Sequence, residues 1–192
     1  MRRTAEQLKF ITPHSGIVRM AIDLKEWERH IALPDGRAVF VRPLRPDDEP
    51  LYGPFFAAVT ADDIRLRFFA PVKEFGHAFL ARFTQIDYAK AMAFIALDQA
   101  TGAMLGVARL HDRDDGRSGE YAILVRSDLK THGLGWQLMQ MLIAYGRAKG
   151  LRAIEGQVLH ENATMLEMCR ELGFSISANK DEPSICDVRL AL

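Results

Sequence analysis

A basic residue and two glycines, Lys130, Gly133 and Gly135, stand between an apolar segment and a long amphipathic one. The apolar segment, Ala122 to Val125, has the composition of a strand, and the segment from Leu134 to about Lys149 repeats apolar residues at helical spacing. A glycine-rich turn that opens a helix leaves backbone N–H groups without an acceptor, and the helix dipole adds positive charge there. The pattern therefore predicts a binding site for a phosphate or a pyrophosphate.

The two most familiar phosphate-binding motifs do not fit this loop. In G-x-x-x-x-G-K-[ST] the lysine follows the glycines, whereas Lys130 precedes them. The motif G-x-G-x-x-G, followed about 20 residues later by an acidic residue, is also absent. Glycines can also simply start or stop a helix. The loop is therefore either an anion site of another kind or an ordinary helix start.

Glu120 is the candidate general base. It lies at the start of the strand that leads to the loop, and period-two alternation puts it on the same face as Ala122 and Leu124. It is the only acidic residue in this apolar strand, and burial there would raise the pKa of a carboxyl group toward the range useful for taking a proton from an amine. The alternative is a carboxylate in solvent, one residue after a turn at Gly119.

The elements that would position these residues follow an α/β order. A strand at Ala38–Val41 is followed by three helices, at about residues 48–59, 62–69 and 74–84. Three strands with short polar connections then predict an antiparallel meander, at residues 91–97, 104–110 and 120–125. After the helix from Leu134 come a strand at 153–159, a helix capped by Asn162 that ends at Gly173, and two strands, one entered at Phe174 and one at 185–190. We expect a single α/β (α+β) domain with a mixed, mostly antiparallel sheet flanked by helices.

Composition narrows the class of protein. The chain has 192 residues, 48% of them hydrophobic, which suits one globular domain. Its 25 basic and 25 acidic residues cancel, which argues against a nucleic-acid platform. No apolar stretch approaches a membrane span, no apolar region after Met1 indicates a signal peptide, and no Cys/His cluster has metal spacing, so no membrane and no metal are predicted. The two cysteines, Cys169 and Cys186, are expected to be free thiols in a cytoplasmic protein.

Residues 1–30 are weakly patterned and are interpreted as an N-terminal extension of unclear role. Their scattered apolar residues could cover an edge of the core or a partner subunit, so a homodimer is one interpretation. The main domain is predicted to occupy residues 31–192.

In this order and spacing the residues resemble the GNAT acyltransferases, which use acetyl-CoA or another acyl-CoA. The resemblance covers about residues 37–192 and rests on Lys130, Gly133, Gly135, Asn162 and the pair Gly173-Phe174. Lys130 stands where the family usually has Gln or Arg.

A closer resemblance is to the GNAT domain of bacterial Pat-type protein lysine acetyltransferases, which is often fused to a synthetase-like or a cyclic-nucleotide domain. The similar segments are Val41–Asp48, Arg65–Phe69, Ile86–Tyr88, and Gly156–Asn162 with Met165-Leu166. In the second of these segments, solvated arginines beside core aromatics are an equally good interpretation.

The resemblance implies an acetyl-CoA site. Its pyrophosphate would lie on the backbone N–H groups of the loop, with a charge-assisted contact from the Lys130 side chain; the loop residues are Lys130, Thr131, His132, Gly133, Leu134, Gly135 and Trp136. Its pantetheine would run along Leu124, Val125 and Arg126, where an N–H of Leu124 or Val125 would stabilise the oxyanion. Asn162 and Met165 would hold the cosubstrate at the start of the next helix, although Asn162 could equally be a plain helix cap.

The resemblance also implies a proton donor for the departing thiolate. Many family members place a tyrosine seven residues after the Asn, and here that position is Cys169. The thiol could donate the proton, pack beside CoA as a small side chain, or form an acyl-cysteine.

The implied function is transfer of an acetyl group to a primary amine, with Glu120 as base. The best-matching acceptor is a protein lysine, for example on an acyl-CoA synthetase. The alternatives are a small-molecule amine acetyltransferase and a non-catalytic acyl-CoA-binding module.

Overall fold

The structure is a computed structural model that describes residues 23–72 and 75–192. Within them the chain forms an eight-stranded sheet in the order β1-β2-β3-β4-β5-β6-β8-β7. The strands are β1 Arg29–Ala32, β2 Ala38–Pro43, β3 Ala91–Asp98, β4 Met104–Asp112, β5 Ser118–Val125, β6 Ala153–Leu159, β7 Ser175–Ala178 and β8 Ile185–Ala191. The α-helices are α1 Glu49–Ala57, α2 Ala61–Phe68, α3 His77–Thr84, α4 Leu134–Lys149 and α5 Ala163–Glu171. Short 3₁₀ helices cover Leu24–Trp27, Pro46–Asp48 and Ser127–Leu129.

The pairing of β5 with β6 differs from every other strand pairing described. All the others are antiparallel, whereas β5 and β6 are parallel and share only the pairs Ser118–Ala153, Gly119–Ile154 and Glu120–Glu155. Beyond Glu120 the two strands diverge, so Tyr121 to Val125 pair only with β4. The predicted mixed, mostly antiparallel sheet is confirmed, and its one parallel pairing opens an edge in the middle of the sheet.

Two apolar cores hold helices on the two faces of the sheet. On one face α4 and α5 bury Leu138, Leu142 and Leu166 against β-strand residues that include Phe94 and Ile123. On the other face α1, α2 and α3 cover a second cluster, which includes Tyr52, Phe55, Ile64, Ile95, Val107 and Leu124. The opened edge of β5 is therefore walled by helices on both faces of the sheet.

Several local predictions are confirmed. Helix α4 runs from Leu134 to Lys149 and ends at Gly150 in the left-handed region, with φ 82°. Asn162 caps α5 as expected, by accepting the N–H of Met165 (3.2 Å). The structure adds a cap of the same kind at α2, where Thr60 accepts the N–H of Asp63 (3.3 Å). These features depend on nearest neighbours in the chain, which is why short sequence patterns can reveal them.

Other local predictions needed correction. Strand β1 was missed because three of its four residues are exposed, so it lacks an apolar pattern. The first predicted helix begins as the 3₁₀ turn Pro46–Asp48 and continues as α1, with Pro50 in its first turn, where a missing N–H does no harm. The third begins at His77, after Gly76 as N-cap, rather than at residue 74.

The predicted boundary between residues 30 and 31 falls inside strand β1. Trp27 packs against Phe94 and Tyr145, with ring centroids 6.0 and 5.2 Å apart, so residues 23–30 contribute to the core. The rest of the predicted extension, residues 1–22, lies outside the described residues, and its role stays a prediction. No helix in the described ranges is long and apolar enough to cross a membrane.

The side chain of Tyr121 fills the point where β5 and β6 diverge. Its ring lies against Gly156 of β6, so closely that a Cβ atom on Gly156 would come within 2.5 Å of Tyr121 Cε1. Phe174 packs on the same ring, with centroids 5.8 Å apart. Glycine at position 156 is therefore required by the tyrosine ring opposite it.

We expect Gly156→Ala to lower the free energy of unfolding by about 1–3 kcal/mol, since overpacking displaces the Tyr121 ring. Gly135→Ala is the matched control, because a Cβ there meets nothing within 4 Å. Its stability should stay the same or rise by up to about 1 kcal/mol, as alanine favours a helix. Urea unfolding followed by circular dichroism measures both, and a Gly156→Ala variant as stable as wild type would show that the close packing is wrong.

Candidate active site

A cleft of about 720 Å³ follows the free edge of β5. Its walls come from β5, the loop before α4, α5, β6, and α2 on the opposite side. The cleft therefore joins the predicted anion loop to the predicted catalytic strand, as the sequence pattern required.

The loop before α4 presents backbone donors to this cleft. Gly133 is the N-cap of α4 with φ 82°, and Thr131 also has a positive φ of 67°. The backbone N–H groups of residues 131 and 133–136 have no acceptor among the described residues. The space beside Gly135 is open, since a Cβ there would meet nothing within 4 Å. Unpartnered N–H groups at the positive end of a helix suit a pyrophosphate, so the site fits the phosphates of CoA.

Most of the predicted acetyl-CoA residues line the cleft, namely Leu124, Val125, Lys130, Thr131, Gly133, Gly135, Trp136, Asn162 and Met165. Three others do not. Arg126 pairs with Asp128 at 2.8 Å, the His132 ring lies 3.5 Å from Asp35, and Leu134 is fully buried in the core.

The free edge of β5 decides which strand N–H can serve the cosubstrate. The N–H of Arg126 donates to the carbonyl of Leu105 on β4 at 2.9 Å. Since successive backbone groups of a strand point to opposite sides, the N–H of Val125 points away from β4, and that of Leu124 points toward it. Of the two, the N–H of Val125 is therefore the one that faces the free edge, and the N–H of Arg126 is not free for pantetheine.

Lys130 has a partner that the sequence did not reveal. Its ammonium pairs with the carboxylate of Asp63 on α2, whose side chain is only 6% exposed, and the Ser127 hydroxyl donates to the same carboxylate. Burial alone would raise the pKa of Asp63, but the hydrogen bonds from Lys130, Ser127 and Thr60 outweigh it and lower the pKa. The ionised carboxylate ties α2 to the loop, so the expected contact of Lys130 with phosphate would have to compete with Asp63.

Glu120 lines the cleft, but in a different environment from the one expected. Its side chain is 58% exposed and lies 3.6 Å from Arg113, which also pairs with Glu155 at 3.5 Å. The expectation of a desolvated carboxylate was wrong, because Glu120 lies beside the exposed turn that joins β4 to β5. Its role as a base stays a prediction.

His111 is a cleft residue that the sequence did not single out. It is the cross-strand partner of Glu120 in the β4–β5 register, and it lines the cleft as well. Its Nδ1 lies 2.8 Å from the carbonyl oxygen of Asp112, so Nδ1–H donates to that oxygen. Period-two counting along β4 is the signal that could have found it.

Cys169 does not reach the cleft. Its side chain is fully buried, and its Sγ lies 3.3 Å from the hydroxyl of Tyr121, which does line the cleft. Burial raises the pKa of the Cys169 thiol. The interpretation of Cys169 as a catalytic residue is therefore corrected, because its thiol does not reach the cleft. Of the roles considered, packing agrees best with the geometry.

Two arginines, Arg67 of α2 and Arg109 of β4, also line the cleft. Burial, with a smaller contribution from Arg109, lowers the pKa of Arg67 to about 10, so the guanidinium is still cationic at neutral pH. Arg109 donates to the carbonyl of Phe83 and to the Tyr52 hydroxyl, and its Nε is buried without a partner. Within the described residues, no group of three or more His, Cys, Asp or Glu side chains could hold a metal ion.

The fold and this cleft together are those of an acyl-CoA-dependent transferase. A sequence model described as the acetyltransferase (GNAT) family matches residues 60–174, and the chain belongs to that family of enzymes. Members of the family use acetyl-CoA as the cosubstrate.

Individual relatives agree with this membership. The chain is similar to Acetyltransferase PA5475 of Pseudomonas aeruginosa, with 31% identity over 163 residues that cover 84% of this chain and 88% of the relative. It is also similar to the L-methionine sulfoximine/L-methionine sulfone acetyltransferase of Pseudomonas aeruginosa, with 37% identity over 87 residues, which is 43% of this chain and 51% of that protein. Among solved structures, the GNAT domain of S. lividans PAT matches with a TM-score of 0.80 and 23% identity, over 87% of this chain and 98% of that chain.

We expect Gly135→Leu to weaken acetyl-CoA binding at least about tenfold, or about 1.4 kcal/mol, because the new side chain would occupy the open space in front of the N–H groups. Ala144→Leu is the matched control, since it places the same leucine side chain at an exposed position of the same helix. Isothermal titration calorimetry with acetyl-CoA measures both dissociation constants. Equal binding by Gly135→Leu and wild type would place the phosphates elsewhere.

Proposed function

We propose that this protein transfers an acetyl group from acetyl-CoA to a primary amine by direct attack of the amine on the thioester. The observation that carries the proposal is the continuous cleft from the unpartnered N–H groups before α4 to the free edge of β5. A site with donors for phosphate at one end and a strand edge at the other suits a long, extended cosubstrate. Its acceptor would enter from the side of α2.

In this proposal the free edge of β5 holds the thioester end of the cosubstrate. The N–H of Val125 points toward the open edge, where it would donate to the thioester carbonyl and to the oxyanion formed on attack. Asn162 and Met165 line the wall opposite, at the start of α5. Because the side-chain oxygen of Asn162 already caps α5, its contribution to the cosubstrate would come from its amide nitrogen.

Glu120 would act as the base in this reaction. An alkylammonium has a pKa near 10.4 and must lose a proton before its nitrogen can attack, and Glu120 would accept that proton directly or through a water molecule. The neutral amine then attacks the thioester carbonyl and forms the C–N bond of a tetrahedral oxyanion. When this intermediate collapses, the C–S bond breaks, the nitrogen loses its second proton to water, and the departing thiolate takes up a proton. Tyr121 is the candidate donor of that proton, since it lines the cleft where β5 and β6 diverge and a phenol is protonated at neutral pH.

The first candidate acceptor is a protein lysine, for example on an acyl-CoA synthetase. The resemblance of four segments to Pat-type enzymes supports it, together with the match to the GNAT domain of S. lividans PAT. The mouth of the cleft adds a physical reason. Phe69 lies there with 42% of its surface exposed, and an apolar ring at a rim is suited to contact with another protein.

The second candidate acceptor is a small-molecule amine. The relative that is named for acetylating L-methionine sulfoximine and L-methionine sulfone supports it, because the similarity reaches 37% identity over 87 residues. The two acceptors can be separated by assay.

We expect Glu120→Gln to lower kcat by about a hundredfold, at the low end of general-base effects because solvent can partly replace an exposed carboxylate. Acetyl-CoA affinity should stay unchanged, since Glu120 lies away from the phosphate loop. Glu26→Gln, at an exposed site in the 3₁₀ helix before β1, is the isosteric control. Release of free CoA thiol measures the rate, and equal rates for Glu120→Gln and wild type would refute the role of Glu120 as base.

We expect the wild-type protein to acetylate purified acetyl-CoA synthetase on lysine, as detected by mass spectrometry after incubation with acetyl-CoA. L-methionine sulfone serves as the small acceptor in a parallel reaction. Transfer to the small amine but not to the synthetase or to other proteins would rule out the first candidate. Binding of acetyl-CoA without transfer to any amine would refute catalysis itself.

A further inference from the structure

We propose that the acceptor amine carries a carboxylate, and that Arg67 and Arg109 form the subsite that binds this carboxylate. The inference rests on the proposed function, because it concerns the acceptor half of the same cleft. It adds the chemical class of the acceptor.

The register of β4 and β5 places one of these arginines beside the predicted base. Arg109 pairs with Ala122, and His111 pairs with Glu120, so Arg109 and Glu120 are diagonal neighbours on one face of the sheet. Such diagonal positions are about 7–8 Å apart. Ala122, the partner of Arg109, lies between Glu120 and Leu124 along β5. The thioester end is expected beside Leu124.

The second arginine approaches the same space from α2. Arg67 lines the cleft, and its guanidinium lies over the ring of Phe68, 4.9 Å from the centroid. Among the described residues it forms no ion pair and no hydrogen bond to a carboxylate. Its neighbour Arg65, two residues earlier, pairs with Asp62 and Glu161 instead. Arg67 is thus a half-buried cation whose donors remain available to a ligand.

The state of Arg109 is similar. One of its nitrogens holds the Phe83 carbonyl and the Tyr52 hydroxyl, but its Nε is buried and unpartnered. Both arginines also line one small hollow, together with the aromatic residues Tyr52, Phe56, Phe68 and Phe83. Two nearby guanidiniums in an apolar surrounding repel each other, and the lowered pKa of Arg67 reflects this repulsion after burial. A carboxylate between them would offset both effects through charge-assisted hydrogen bonds.

Arg67 and Arg109 are not positioned to bind the phosphates of CoA. The anion loop opens α4, which packs on the sheet face with Leu138 and Leu142. Arg109 alternates with Val107 on β4, and Val107 belongs to the core on the opposite face, under α1 to α3. Along the strand, the register places Arg109 beside Ala122, three residues before β5 ends at Val125, whereas the loop follows the end of β5 and reaches α2 through Lys130 at Asp63.

The placement of Glu120 near Arg67 and Arg109 suits an acceptor that carries both an ammonium group and a carboxylate. Its ammonium would lie toward Glu120, which takes the proton, while its carboxylate would lie toward Arg67 and Arg109. A free amino acid has this pattern, and so does a protein lysine with an aspartate or glutamate beside it. The shared chemistry is an amine with a carboxylate a few atoms away.

The test compares acceptors that differ only in this charge. Each of several L-amino acids, including L-methionine sulfone, is assayed with acetyl-CoA beside its carboxamide. A lysine-aspartate peptide is assayed beside its lysine-asparagine twin, which separates the protein source from the free amino acid. We expect kcat/KM to be at least tenfold higher for the acid in one of these two arms. The carboxamides have the less basic and more readily deprotonated amine, so chemistry alone would favour them.

The variants locate the subsite. We expect Arg67→Gln to raise KM for the acid acceptor about tenfold or more, to leave the carboxamide nearly unaffected, and so to remove most of the preference. Arg67→Lys should retain part of it. Arg147→Gln, on the exposed side of α4 and outside the cleft, should behave as wild type.

Three results would count against the inference. Equal kcat/KM for acids and their neutral twins in both arms would overturn it while leaving the proposed function intact. A preference for acids that survives in Arg67→Gln would assign the carboxylate to other residues. Absence of transfer to every amine, with acetyl-CoA still bound, would overturn the proposed function and this inference together.

Discussion

The short parallel pairing between β5 and β6 is the constraint on which the site depends. The two strands share three residue pairs and then separate at Glu120. A longer pairing would use the backbone donors of β5 to build the sheet, and no edge would remain for an extended ligand. The ring of Tyr121 against Gly156 fills the point of separation, and α4 and α5 lie beyond it on one face. The cleft therefore exists because the β5–β6 pairing ends at Glu120.

A buried carboxylate joins the two walls of that cleft. Asp63 belongs to α2, on the acceptor side, but its hydrogen-bond partners Lys130 and Ser127 belong to the segment that carries the anion loop. The N–H of Thr60 also donates to the Ser127 hydroxyl at 2.8 Å. Because these contacts keep the carboxylate ionised despite its burial, the helix that bears Arg67 and the loop that would hold the phosphates are positioned as one unit.

The charges of the cleft are divided among separate tasks. Backbone N–H groups and a helix dipole supply positive potential at the loop, without using an arginine. The guanidiniums of Arg67 and Arg109 line the acceptor side of the cleft, next to α2 and β4. Glu120 lies in the same cleft, with 58% of its side chain exposed to solvent. This division is compatible with the zero net charge of the whole chain, because the loop, the arginine pair and Glu120 each involve only a few charged groups.

The sequence by itself determined the family resemblance, the order of the elements and the position of the anion loop, since these depend on residues close together in the chain. Gly133, Thr60 and Asn162 end or cap their helices through contacts within a few residues, and such contacts are visible as short patterns. Only the tertiary structure decided which of those residues meet. In the tertiary structure Lys130 pairs with Asp63, 67 positions away in the chain. Cys169 is buried beside Tyr121, and the Glu120 side chain is exposed to solvent. The tertiary structure also brought Arg67 and Arg109 into one cleft, where a helix and a strand distant in sequence face each other. Burial and partnership of charged groups depend on packing between distant segments, and no local pattern encodes that packing.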